Sequence, residues 1–150
     1  MKRIFALLLV ASLLVCSMSA FAAANVIKIN GTPAEIPDGM GSIREMDDRT
    51  FVPLRFVSEF LNNTVQYDEA TKTAFVGSPE IILLVQSGNN LLYVVSNETG
   101  DTKTIKMDTA AFIDEAEGRT YVPVRFLAEA MGYTVGWDEA TQTVTLDKAQ

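Results

Sequence analysis

The chain reads as an α+β protein: antiparallel sheets of short strands packed on two short helices, built from two pseudo-repeated halves. Three observations predict this. Residues 49 to 76, RTFVPLRFVSEFLNNTVQYDEATKTAFV, recur at 119 to 146 as RTYVPVRFLAEAMGYTVGWDEATQTVTL, offset by 70 positions without a gap and identical at half of them. Each copy parses as strand, short amphipathic helix, strand, turn, strand. Between and before the copies lie alternating or apolar runs broken by Asn-Gly and Gly-Asn pairs, the pattern of hairpins.

The N-terminus is set aside first. Met1, Lys2 and Arg3 form a positive region, Ile4 to Val15 an apolar run, and Ala20-Phe21-Ala22 a small-x-small site. This is the pattern of a secretory signal peptide spanning 1–22, with cleavage after Ala22 or after Ala24. The apolar run is short for a membrane span of about 20 residues. Cys16 raises a lipoprotein alternative, but Val15 stands where a small residue is wanted, so the plainer expectation is removal with the leader.

Once Cys16 is gone the chain has neither cysteine nor histidine. Thiol nucleophiles, disulfides, Ser-His-Asp triads, tetrahedral zinc and imidazole-ligated copper are thereby excluded, and no metal or cofactor is expected. With 12 basic against 19 acidic residues the formal net charge is −7, more negative still without Lys2 and Arg3. Such a surface repels nucleic acid and anionic lipid, so neither is expected as a partner. The remaining length suits one module over 25–147 better than two disulfide-free domains of under about 60 residues each.

Element by element, Val26 to Ile29 and Thr32 to Ile36 flank Asn30-Gly31, a type I′ hairpin signal. A loop from Pro37 to Ser42 leads to a strand at Ile43 to Met46 and a turn at Asp47-Asp48. Thr50 to Val52 is extended, and Pro53 suits the first helical position, where its missing N–H has no partner to lose; Pro123 is its equivalent. Phe56, Val57, Phe60 and Leu61 form an apolar stripe, as do Phe126, Leu127, Ala130 and Met131. Asn62 and Gly132 end the helices, since these types adopt the left-handed conformation most readily. Thr64 to Tyr67 and Thr134 to Trp137 are strands, turned through Asp-Glu-Ala-Thr into Lys72 to Val76 and Gln142 to Leu146, with Asp68 and Asp138 accepting backbone N–H groups in those turns. Ile81 to Val85 and Leu91 to Val95 form a hairpin with nearly continuous apolar arms, covered on both faces or packed on one and sticky on the other. Strands at Thr102 to Met107 and Ala111 to Ile113 complete the set.

Several side chains carry competing readings. Arg55 with Glu59, and Arg125 with Glu129, are spaced for a ligand-binding face, for exposed intrahelical ion pairs, or for guanidinium groups reaching back to loop carbonyls; the ion pair is the plainest. Tyr67 and Trp137 are expected to pack as core against their helices, with Tyr133 the exposed ring. Tyr133, Trp137 and Tyr93 nonetheless form the set from which a sugar-stacking platform would be drawn. The acids Asp47, Asp48, Asp114, Glu115 and Glu117 match no calcium loop and are expected to be solvated. The triplets at Asn30, Asn62 and Asn97 matter only in a glycosylating host.

The string RT-aromatic-VP-x-R-F, a helix, then V-x-aromatic-DEAT and a closing strand, resembles the copper amine oxidase N-terminal-like domain, or stalk domain, of secreted bacterial proteins. The likeness covers roughly Val26 to Leu146. It implies an antiparallel sheet twisted around a helix and a peripheral, accessory role. Copper and the quinone of those oxidases belong to a separate catalytic domain that nothing here resembles. The functional expectation is a secreted, non-enzymatic structural or interaction module at the cell envelope, partnered by a protein or a cell-wall glycan. A carbohydrate-binding module is the main alternative, and a carboxylate-based hydrolase a remote third.

Overall fold

A computed structural model describes residues 26–149. The expected leader, its expected cleavage site and Cys16 lie outside the described residues. Among the described residues thirteen strands and two helices follow one another: β1 (Val26–Ile29), β2 (Thr32–Glu35), β3 (Arg44–Met46), β4 (Arg49–Pro53), α1 (Leu54–Phe60), β5 (Thr64–Asp68), β6 (Thr73–Gly77), β7 (Ile81–Gln86), β8 (Leu91–Ser96), β9 (Thr102–Lys106), β10 (Phe112–Asp114), β11 (Arg119–Pro123), α2 (Val124–Ala130), β12 (Tyr133–Asp138) and β13 (Thr143–Lys148). The architecture is α+β and mostly antiparallel.

Three sheets form, ordered β12-β13-β1-β2, β10-β11-β4-β3 and β5-β6-β7-β8-β9. In the second, β4 and β11 pair antiparallel with Val52 opposite Val122, residues that occupy the same place in the two sequence copies. Both are fully buried. The first sheet contains the single parallel pair among the described strands, β1 on β13, with Ile27 beside Val144 and Ile29 beside Leu146. One hydrophobic cluster joins Ile27, Val52, Val57, Leu83, Leu127 and Leu146, and so draws on all three sheets and both helices.

Local chemistry explains most boundaries. Asn30 and Gly31 both have positive φ (49° and 77°), the demand of the I′ turn between β1 and β2. Asp47 and Asp48 do the same for β3 and β4, at 48° and 56°. Asn62 (61°) and Gly132 (78°) each follow a helix in the left-handed region.

The helix starts differ from expectation by one residue. Pro53 and Pro123 have ψ of 115° and 121°, still extended, and the helices open at Leu54 and Val124. A proline φ near −60° fits a strand and a helix equally, and the β4–β11 ladder holds both prolines in the strand. The buried helical stripe agrees with the expected one at Phe56, Val57 and Leu127 and departs from it elsewhere. Leu54 and Ser58 in α1 and Val124 and Ala128 in α2 are buried too, whereas Phe60 is 42% exposed and Leu61, Phe126, Ala130 and Met131 are only half-buried. Ser58 and Ala128 put small side chains on the buried helix faces, and the exposed Phe60 ring lies 6.0 Å from the Phe56 ring.

Candidate functional site

The apolar hairpin has one packed face and one bare face. Leu83, Val85 and Leu92 point into the core with no more than a trace of exposure. Strand register places the alternate residues in rows on the other side: Gln66, Phe75, Leu84, Tyr93 and Thr104 cross all five strands in line, and Gly77, Ile82, Val95 and Thr102 run beside them. Ile82 is 37% exposed, and Phe75, Leu84, Tyr93 and Val95 are half-buried without belonging to the core. Phe75 was missing from the sequence expectation, although its place one strand over from the apolar arms is the signal that finds it.

Tyr67 packs against the core as expected, whereas Trp137 and Tyr133 do not sit as expected. Trp137 is 49% exposed, a correction to the core placement. Its cross-strand partner is Val144, whereas Tyr67 in the equivalent position faces Ala74, and the smaller partner leaves room for the Tyr67 ring to fold inward. Tyr133, expected to be the exposed ring, is half-buried, packed on the core and covered by Lys148, whose Nζ lies 5.0 Å from the ring centroid. Its counterpart Asn63 turns in as well and donates to Leu61 O (3.3 Å) and Met131 Sδ (3.2 Å).

Two clefts flank the β4–β11 pair, and their walls are sequence equivalents of one another. The first encloses about 370 Å³ and is lined by Pro53, Leu54, Arg55, Val65, Tyr67 and Ala74, closed by Arg119 and Thr120 from the other copy. The second, about 220 Å³, is lined by Pro123, Val124, Arg125, Val135, Trp137 and Val144, closed by Arg49 and Thr50. The exchange follows from the antiparallel register, which lays the start of each strand beside the helix that follows its partner.

The closing arginines are treated differently. Arg49 Nε donates to Asp108 Oδ2 at 2.6 Å and its Nη1 to Asp48 O at 3.0 Å. Arg119 Nη2 donates to Gly39 O, but its Nε is buried and makes no hydrogen bond to the described residues. The Tyr67 hydroxyl in the same cleft is likewise buried and unpartnered. Burial, reinforced by Glu69, Asp68 and Glu115, pushes the Tyr67 hydroxyl above the ordinary phenol pKa, so it is a neutral O–H at neutral pH. At the rim, Lys72 lies 4.0 Å from Glu115.

Arg55 pairs with Glu59 at 3.4 Å on the exposed face of α1, and Arg125 forms no such pair with Glu129 among the described residues. Neither reaches a loop carbonyl there; Arg49 and Arg119 make those contacts instead. Asp68 Oδ1 accepts from Ala70 N at 2.9 Å, and Asp138 Oδ1 from Ala140 N at 3.0 Å. Asp138 alone also meets Lys28 from β1, which with Thr141 holds its pKa down at about 2.

Asp114 and Glu117, expected to be solvated, instead meet on Arg44, while Glu115 stays exposed. Asp114 accepts from Ala116 N, Glu117 N and, at 2.6 Å, Arg44, and these hold its carboxyl below the usual range, the Glu117 N–H most of all. Glu117 accepts the Tyr121 hydroxyl at 2.6 Å and Arg44 at 2.7 Å, with the Arg44 guanidinium 4.3 Å above the Tyr121 ring. Among the described residues no three acidic side chains gather as metal ligands.

No curated protein and no solved structure matches the chain. The family model described as "Copper amine oxidase N-terminal domain" matches residues 28–146, close to the bounds read from the repeat, and it covers no catalytic domain. The span of that match takes in both copies of the repeat, the hairpin between them and both clefts, and the chain belongs to the copper amine oxidase N-terminal domain family.

Proposed function

We propose that this protein is a secreted, non-catalytic interaction module acting at the cell envelope, and that the bare face of the five-stranded sheet is its contact surface. The observation that carries this reading is the row Phe75, Leu84 and Tyr93, with Ile82 and Val95 beside it, apolar and outside the core. Apolar rows left outside the core and partly open to water are disfavoured unless something covers them, which supports a protein partner. The family match to an N-terminal domain alone supports a role apart from chemistry. The test is capture of wall and secreted fractions by the purified protein beside a Leu84→Lys variant, whose folded state is checked by circular dichroism. Binding that survives in the variant removes the sheet face from the proposal. Turnover of a substrate that is lost on replacing single carboxylates would overturn the non-catalytic reading.

A cell-wall glycan as partner is the second reading, favoured by the exposed Trp137 ring. Titrating Trp137 fluorescence with wall glycans separates the two, since stacking of a sugar on a half-exposed indole shifts its emission.

We further propose that residues 25–147 are one module made of two pseudo-repeated halves. Support comes from the Val52–Val122 pairing and from clefts whose walls each draw on both copies. Residues 23–77 alone should then be unfolded, and the whole protein should unfold in one step. Two resolved transitions would argue for separate domains.

A further inference from the structure

The two copies of the repeat present unlike outer faces. In the first sheet the row that crosses β12, β13, β1 and β2 away from the core is Gly136, Thr145, Lys28 and Pro33. The matching row of the five-stranded sheet has Gln66 and Phe75 where Gly136 and Thr145 stand, and Leu84 in the place of Lys28. A scaffold that folds with threonine at this position has no structural need of Phe75, so the apolar row points to contact.

The charges differ as well. Asp138, at the end of β12, is met by Lys28 from within the chain. Its equivalent, Asp68, lies beside Thr73 and Gln86, and at the far edge of the same sheet Leu91 lies beside Lys106. Gln86 and Leu91 stand one residue beyond the Val85–Leu92 pair, so Asp68 and Lys106 occupy one row at opposite edges. They are the two charges that strand register places on this face. Four strand spacings of about 4.8 Å keep them from meeting within one molecule. Lys106 forms no ion pair among the described residues.

On the reading of this face as the contact surface, we propose that its occupant is the same face of a second molecule of the chain, related by a two-fold axis that runs along the strands over Leu84. Such an axis lays β5 on the second molecule's β9, and β6 on its β8. Phe75 then faces the second molecule's Tyr93, and Leu84 faces its own counterpart. Asp68 faces the second molecule's Lys106, twice over by symmetry. Lys106 thereby does between molecules what Lys28 does for Asp138 within one. No like charges on the face meet across this axis, which matters for self-contact in a chain of net charge −7. Five strands at about 4.8 Å and five residues at about 3.4 Å give each face roughly 400 Å² in projection. The pair therefore covers on the order of 1,000 Å², the small end of specific interfaces, and is held reversibly with Kd on the order of 10 to 100 μM.

Sedimentation velocity of the purified protein from about 1 μM to about 1 mM tests this, since the mass should rise from monomer to dimer with concentration. Leu84→Lys should stay monomeric. Lys106→Glu should weaken association about tenfold, because symmetry turns both ion contacts into repulsions. Lys103→Glu makes the same charge change on the other face of β9 and should leave association unchanged. An equimolar mixture of Lys106→Glu with Asp68→Lys, each shown to be folded by circular dichroism, should associate as the parent does, since each supplies the charge that the other's change requires. A monomeric mass at every concentration, a dimer that survives Leu84→Lys, equal weakening by Lys103→Glu and Lys106→Glu, or a mixture of folded variants no tighter than Lys106→Glu alone would each overturn the self-pairing. The contact-surface reading fails separately. Capture from wall and secreted fractions that survives Leu84→Lys removes the face, whereas a monomer whose capture is lost in that variant keeps the face and gives it to a different protein.

Discussion

The two clefts are built from matched residues and come out unlike. In the one closed by Arg49, an acid from the strand-connecting segment, Asp108, occupies the arginine and the aromatic side chain, Trp137, stands half in solvent. In the one closed by Arg119, the aromatic side chain, Tyr67, folds in and two donors remain unpaired. The lesson is that the repeat specifies a scaffold, while a few unmatched positions decide what the scaffold is free to do. Asp108 lies outside the matched segments, and the Tyr67/Trp137 and Ala74/Val144 differences lie within them.

The strongest way to break the comparison is at the floors. Leu54→Ala, which removes a side chain 1% exposed, should cost about 3 kcal/mol of stability, and Val124→Ala about 2 kcal/mol because one methylene fewer is lost. Urea unfolding measures both, and a larger loss at Val124 would show that the second cleft carries more of the core. Next come the helix ends. Gly132→Ala should cost about 1 kcal/mol, since φ of 78° strains any side chain although the nearest atom to an added Cβ, Lys148 Nζ, is 3.8 Å away. Gly132→Asn should cost less than about 0.5 kcal/mol, as Asn62 already occupies the equivalent place at 61°. Similar losses for both substitutions would mean that the two helix ends are not interchangeable.

A smaller effect on stability, and a sharper one on the comparison, is expected from Asp108→Ala. The Arg49–Asp108 pair is over a third exposed on each side, so its loss should cost under about 1 kcal/mol. It should, however, free Arg49 Nε, so the Arg49 Nε–Hε resonance should move while that of Arg119 stays in place. If Arg49 stays silent, the exposed Trp137 rather than Asp108 is what sets the clefts apart. The smallest effect concerns the turn aspartates. Asp138 has a folded pKa near 2, below its unfolded value, so its contribution is fully present above about pH 4 and is lost as pH falls through about 2. Lys28→Met should move the Asp138 titration, read from carboxyl carbon shifts, back toward the ordinary range, while Asp68, held by Thr71 rather than a lysine, should not move.

Much of this architecture was legible because its signals are local. The Asn30-Gly31 turn, the left-handed helix ends at Asn62 and Gly132 and the alternation of β5 and β12 each depend on a handful of adjacent residues. The helix starts were misplaced by one residue because a proline φ does not distinguish the end of a strand from the start of a helix, and the β4–β11 ladder that decides the matter joins residues 70 apart. Trp137 was misplaced because its exposure depends on Val144 across the strand pair, not on the habits of tryptophan. The clefts were invisible for the same reason: each borrows its closing arginine from the opposite copy. One clue was present. The Arg-Thr pair heads both copies, and no local role in a turn, cap or helix explains why both keep it.

The parallel contact of β1 with β13 has a mechanical consequence. Tension transmitted through the residues before Val26 and after Lys148 would draw the two strands in opposite directions along their length. The bonds that join them, such as Asn30 N to Leu146 O at 2.8 Å and Lys148 N to Asn30 Oδ1 at 2.8 Å, would then be sheared together instead of being unzipped in sequence. Resistance to pulling is governed by the unfolding barrier rather than by equilibrium stability. The parallel pair of β1 and β13 is thus placed to withstand a load applied between those two strands.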